Sequence, residues 1–176
     1  MNRRLPIVLL AAATLTLSAR GAHGEGFASR RGARENAAGG VTAGESRAVH
    51  GENGFAAGRR GFASDGDGNA AGGSEQAFKG PNGAAGARKG RWSHSADGAS
   101  THQSAGGVHG ANGSAYSSGS ATRDASGNTT ASRNTNATAN SGATYDGSTT
   151  YSSGSGASHS GTCTNSAGQV VACPTR

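Results

Sequence analysis

The chain has 176 residues, 32 of them Gly; only 15% are Asp, Glu, Lys or Arg, and the formal net charge is +6. Gly, Ala, Ser, Thr and Asn together make up about two thirds of it, and all five Leu, the one Ile and the one Met lie in the first 17 positions. The 13 large apolar side chains beyond them are too few for a conventional hydrophobic core, or for the rigid pocket that catalysis needs, so the composition points away from an enzyme, a cofactor, a bound metal and a small-molecule substrate.

Met1–Arg4 carries two arginines, Leu5–Leu17 is an apolar run broken by Thr and one Pro, and small residues follow. This is the layout of a secretory signal peptide over residues 1–21, with Ala19-Arg20-Gly21 or Ala22-His23-Gly24 as small-x-small cleavage sites. A 13-residue run reaches only about 20 Å as a helix, short of the ~30 Å hydrocarbon core. The sequence therefore predicts export to the periplasm, cell surface or medium, with no integral membrane segment after processing. Cleavage removes Arg3, Arg4 and Arg20 and lowers the net charge to +3.

Residues 22–94 hold ten Lys/Arg against seven Asp/Glu, whereas residues 95–176 hold three of each, which sets a soft boundary near Ser95. The first region is rich in Gly, Ala and Arg. Being small, polar and charged, it is predicted to be disordered. It also repeats. Gly51-Glu52-Asn53-Gly54-Phe55-Ala56-Ala57-Gly58-Arg59-Arg60-Gly61 aligns with Gly80-Pro81-Asn82-Gly83-Ala84-Ala85-Gly86-Ala87-Arg88-Lys89-Gly90, and a third copy starts at Gly110-Ala111-Asn112-Gly113. A period of 29–30 residues lies in the range of repeat architectures.

Gly54, Gly68, Gly83, Gly98, Gly113, Gly127, Gly142 and Gly156 fall 14 or 15 residues apart. Asn-Gly and Asp-Gly pairs favour the positive φ of type I′ hairpin turns. Arms of about ten residues between such turns make one repeat one hairpin. The second region, 95–176, carries the Thr, Ser, Tyr and Val that suit strands. There, mostly from residue 110 onward, the sequence predicts an all-β antiparallel meander, or a β-solenoid, without a conventional core.

Basic doublets recur with the repeat: Arg30-Arg31, Arg59-Arg60 followed by Gly61-Phe62, and Arg88-Lys89 followed by Gly90-Arg91-Trp92. Cations beside Gly and aromatics resemble segments that track anionic backbones and stack on bases. For an exported chain the partners would be extracellular DNA, acidic polysaccharide or the envelope surface. Seven carboxylates dilute the signal, and a role in keeping the repeat soluble stands beside it. Asp65-Gly66-Asp67-Gly68-Asn69 opens like a calcium loop, but Ala70 stands where that loop needs Gly and Gln76 where it needs Glu, so it reads as a turn. His94, His102 and His109 are too loosely spaced for a metal site.

The only cysteines, Cys163 and Cys173, lie in the last 14 residues. In an oxidising compartment they predict a disulfide, with a hairpin about Ala167-Gly168-Gln169 placing them opposite each other. Gly161-Thr162-Cys163-Thr164-Asn165-Ser166-Ala167-Gly168, ending Val171-Ala172-Cys173-Pro174, resembles the C-termini of small Gly/Ser/Ala-rich exported proteins of Gram-negative bacteria with a terminal Cys hairpin. Arg133-Asn134-Thr135-Asn136-Ala137-Thr138 and Tyr145-Asp146-Gly147-Ser148-Thr149-Thr150 share that likeness. The resemblance implies export and carries no activity or site with it. The sequence thus supports a non-enzymatic exported repeat protein of the envelope or matrix, structural or self-associating. The alternative is a polyanion-binding module using Arg30, Arg31, Arg59, Arg60, Arg88, Lys89, Arg91 and Trp92.

Overall fold

The computed structural model describes residues 26–173, so the leader assigned to residues 1–21 lies outside the described residues. Eleven strands follow one another: β1 (Gly26–Glu35), β2 (Val41–Gly51), β3 (Gly54–Ser64), β4 (Ala70–Lys79), β5 (Ala85–His94), β6 (Ser100–Gly110), β7 (Gly113–Arg123), β8 (Thr129–Ala139), β9 (Thr144–Ser152), β10 (Gly156–Thr164) and the short β11 (Val170–Val171). They form one antiparallel sheet whose spatial order is the chain order. Each strand touches only its neighbours in sequence, so the sheet is a single open layer.

Two expectations are corrected here. Residues 26–94, predicted to be disordered, form β1–β5, and the meander predicted mostly from residue 110 onward begins at Gly26. The solenoid variant is also excluded for the described residues, because no strand returns to pack on an earlier one. The sheet runs through Ser95, which opens the β5–β6 turn.

Turn chemistry is one reason the small, polar arms order. All eight glycines of the 14–15-residue series have positive φ, from +73° at Gly83 to +138° at Gly113. Most of the turns are not the two-residue type I′ form. At Asn36, Ser95, Asp124, Ala139 and Asn165 the carbonyl accepts from the N–H of the glycine three residues on, at 2.9–3.1 Å, and the N–H of the same residue donates to the carbonyl of the residue after that glycine. This is a type I turn followed by a left-handed glycine bulge. Side chains brace several of these turns. Asn36 Oδ1 accepts from the N–H groups of Ala38 and Gly40, and Asn165 Oδ1 from those of Ala167 and Gln169.

Packing across the pleat is the second reason. Residues opposite one another across a ladder share a face, and successive residues along a strand alternate between faces. The registers place ten of the thirteen large apolar residues on one face. Phe27, Val49, Phe78, Val108, Tyr145 and Val171 form one row across the strands, and Phe62, Trp92 and Tyr151 lie in a second. We call this the aromatic face.

Glycines in strand interiors would ordinarily weaken a sheet. Here the rings lie across them. A Cβ at Gly72 would stand 2.9 Å from Trp92 Cε2, and one at Gly86 would stand 2.6 Å from Phe78 Cε1. Tyr116 covers Gly107, and Tyr145 covers Gly147 and Gly161. The rings remain half-exposed, and Cys163, at 8%, is the one buried apolar side chain among the described residues.

At the C-terminal edge Cys163 and Cys173 form the disulfide, with Cα atoms 5.3 Å apart. The register differs by one residue from that predicted. Cys163 faces Val171, so the hairpin centres on Ala167 and the bond runs diagonally to Cys173.

Candidate functional site: two faces and one edge

Strand alternation splits each basic doublet. Arg30, Arg59, Lys89 and Arg91 point to one face, and Arg31, Arg60, Arg88 and Trp92 to the other, the aromatic face. The structure therefore does not bring the eight residues together. It makes two separate surfaces of them.

Over β1–β5 the first surface carries Arg30, Arg34, Arg59, Lys79, Lys89 and Arg91 against Glu75, a net +5. The aromatic face carries Arg31, Arg47, Arg60 and Arg88 against Glu35 and Glu45, a net +2. The first is the cationic face. Of the other described carboxylates, Glu52, Asp65, Asp67, Asp97 and Asp124 sit in turns at the ends of the sheet, away from the strand centres. The dilution of the basic signal noted in the sequence is thus partly undone in space.

Of the carboxylates on the strands, Glu45 and Glu75 pair with arginines across the ladder and Asp146 with Asn136. Glu75 receives Arg59 at 2.7 Å, and Glu45 receives Arg60 at 2.8 Å and Arg47 at 3.2 Å. The Arg60 and Arg47 hydrogen bonds hold the Glu45 carboxyl below its ordinary range. The arginines are exposed and Glu45 is half-buried, so solvent screening leaves these bridges little net stabilisation. Their main effect is on register, since basic odd strands fit against acid-bearing even ones. Glu45 and Glu75 were missed as partners in the sequence. A signal existed, because Arg59 and Glu75 are equidistant from the β3–β4 turn.

Two open concavities, of about 970 and 910 Å³, lie on the cationic face. The larger is lined by Arg59, Lys89, Arg91, Gln103, Ser120 and Asn134, among others. Arg91 donates to Gln103 Oε1 at 2.9 and 2.5 Å. Beyond β6 this face carries no further Lys or Arg among the described residues; apart from Asp146, which bonds Asn136, its polar side chains are neutral donors and acceptors. The row through Arg30, Arg59 and Lys89 continues into Ser118, Asn134, Ser148 and Ser160.

The calcium-like segment is the β3–β4 turn, with Asp65 accepting from its own loop: Asn69 Nδ2 at 2.6 Å and the Asp67 N–H at 2.8 Å. His94 and His102 lie on the aromatic face and His109 on the other. No group of three or more metal-ligating side chains occurs among the described residues.

Asp65 and Asp124 are both held below the ordinary aspartate value, chiefly by the side chains of Asn69 and Asn128 and then by turn N–H groups. A depressed folded value makes the stabilisation complete above the unfolded value and lost as pH falls through the folded one. The melting temperature should hold from neutral pH down to the ordinary aspartate range, then decline through and below it. An Asp65→Asn, Asp124→Asn double variant should show a shallower decline in melts followed by circular dichroism.

The β1 edge completes the inventory. The Asn36 N–H bonds the Gly40 carbonyl, so ladder bonds to β2 fall at Arg34, Gly32, Arg30 and Ala28. Phe27, Ser29, Arg31, Ala33 and Glu35 then turn their N–H and C=O outward, and all of β1 is exposed. At the opposite edge β11 covers only Cys163 and Thr164. Against family models, curated proteins and solved structures alike, the chain finds no match.

Proposed function

We infer that this is a non-enzymatic exported protein of the cell envelope or extracellular matrix, a structural sheet that associates with copies of itself. The observation that carries the reading is a single layer with an open ten-residue edge strand. An unpaired edge is a template for another strand. The Cys163–Cys173 disulfide suits an oxidising compartment outside the cytoplasm, and no helix among the described residues is long and apolar enough to cross a membrane.

Exposed area supports association. The chain exposes 13276 Å², whereas a compact monomer of its 17.1 kDa would expose about 7,700 Å². Residues outside 26–173 could account for about 4,200 Å² of the total if fully solvated. The sheet still exposes roughly 2,000 Å² more than a compact chain of its size, as much as a standard protein interface buries.

Proline tests the edge. Ser29→Pro with Ala33→Pro removes two outward N–H groups and leaves the β1–β2 ladder intact. The oxidised protein should associate as its concentration rises in sedimentation velocity, and the double variant should associate more weakly, losing the β1 edge, with an unchanged circular dichroism spectrum. A wild-type chain that remains monomeric at millimolar concentration would overturn the reading.

A further inference from the structure

We propose that the cationic face binds a linear uronic-acid polysaccharide laid across the strands, along the row that begins at Arg30. The proposal does not depend on edge pairing, because the face is complete in one chain.

The spacing comes first. Arg30, Arg59 and Lys89 occupy β1, β3 and β5 in one row. Alternate strands place them about 9.6 Å apart, close to the length of a disaccharide. Arg91, two residues along β5 from Lys89, widens the track by about 6.7 Å. A polymer with one carboxylate per disaccharide meets a cation at each repeat, and at Arg59 it shares the guanidinium with Glu75, which stands in the same row between Arg59 and Lys89.

Chemistry along the row comes second. From β7 to β10 it offers Ser118, Asn134, Ser148 and Ser160, and the next row on the same face offers Gln103, Ser120, Ser132, Thr150 and Ser158. Neutral donors and acceptors in register suit sugar hydroxyls. The larger concavity joins the two zones, running from Arg59 to Asn134. The row spans about 43 Å from β1 to β10, room for four such disaccharides.

What the face lacks discriminates against nucleic acid. Single strands are held by successive aromatic rings beside the basic groove. On this face β1–β5 present Phe55 beside His50, both at the strand ends four residues from the Arg30–Lys89 row, and β7 presents Tyr116 at the margin of the second concavity. The rings are thus scattered and not successive; Phe62, Phe78 and Trp92 lie on the other face.

The doublets supply a matched experiment. Arg30→Gln, Arg59→Gln, Lys89→Gln removes the three cations of the row and leaves Arg34, Lys79 and Arg91 on the same face. Arg31→Gln, Arg60→Gln, Arg88→Gln removes the same charge from the neighbouring positions on the aromatic face. Binding of hyaluronan to the oxidised protein is measured by calorimetry at low salt, with dextran and single-stranded oligothymidine as comparison ligands and circular dichroism as the check on folding. The first triple should weaken hyaluronan binding at least about tenfold, with roughly a hundredfold as the full effect of three basic side chains at an anionic surface. The second should change it less than about threefold, because its charges lie on the far face of the sheet and are screened by salt, with dextran unbound and oligothymidine weaker. No hyaluronan binding by the wild type, equal losses from both folded triples, or oligothymidine as tight as hyaluronan would each overturn the assignment. So would a loss confined to the second triple.

Discussion

Gly113→Ala should cut the sheet in two. Gly113 has φ +138°, outside the range an L side chain adopts readily, and a Cβ there would run into the Thr138 carbonyl oxygen and stand 2.8 Å from Ala139 Cα. The substitution strains the β6–β7 turn and pushes β7 off β8 at once. Together these effects are expected to cost about 3–5 kcal/mol. Because strands touch only their neighbours, the damage should stay at that seam, leaving β1–β7 and β8–β11 to unfold as separate blocks. Gly83→Ala is the comparison. Its φ is +73° but nothing lies within 4 Å of the added Cβ, so only backbone strain of about 1–2 kcal/mol applies. Urea unfolding followed by circular dichroism, with amide exchange to locate the seam, separates the two. Equal losses at both positions would show that the Thr138 clash has no consequence.

Cys173→Ser should release the terminal hairpin without melting the sheet. The disulfide closes a loop with a sequence separation of 10, which by chain entropy contributes about 3 kcal/mol. β11 pairs through only two residues, too few to hold alone. Amides of 165–171 should lose protection from exchange while those of β1–β9 keep theirs. With the hairpin gone Cys163 and Thr164 join the stretch of β10 from Gly156 to Thr162 that β11 never covers, so the variant should associate faster than the oxidised wild type by light scattering. Global unfolding of the variant would contradict the nearest-neighbour character of the sheet, and unchanged association would mean that β11 guards nothing.

Much of the punctuation was legible in the sequence, and the state of the arms was not. The glycine series from Gly54 to Gly156 marks hairpin turns because a left-handed backbone excludes most other residues. Its spacing alone does not tell a two-residue loop such as Glu52-Asn53 from a three-residue loop with a glycine bulge, and the latter prevails. Residues 26–94 read as disordered because their Gly and Ala content was weighed residue by residue. Gly72 and Gly86 count as losses on that scale, yet in space they are the seats of Trp92 and Phe78.

The charges behave in the same way. Glu45 and Glu75 dilute the basic doublets along the chain, whereas across the ladder they are partners of Arg60 and Arg59. The eight residues singled out for polyanion binding were identified by type and spacing. Their division between two surfaces follows from the two-residue period of a strand, and it could be applied only once the arms were known to be strands. The Cys pair was legible as a bond, but the one-residue offset of its hairpin depends on the turn that Asn165 organises.

A layer in which every strand leans only on the one before and the one after has no preferred width. Duplicating one 29-residue hairpin would widen it by about 9.6 Å and leave existing interactions in place, whereas a closed barrel or a two-layer sandwich would have to rebuild its seam or its partner sheet. Reach is therefore the property such a gene can tune most easily, in whole-hairpin steps, and each step can add another cation to the Arg30–Lys89 row at the same interval.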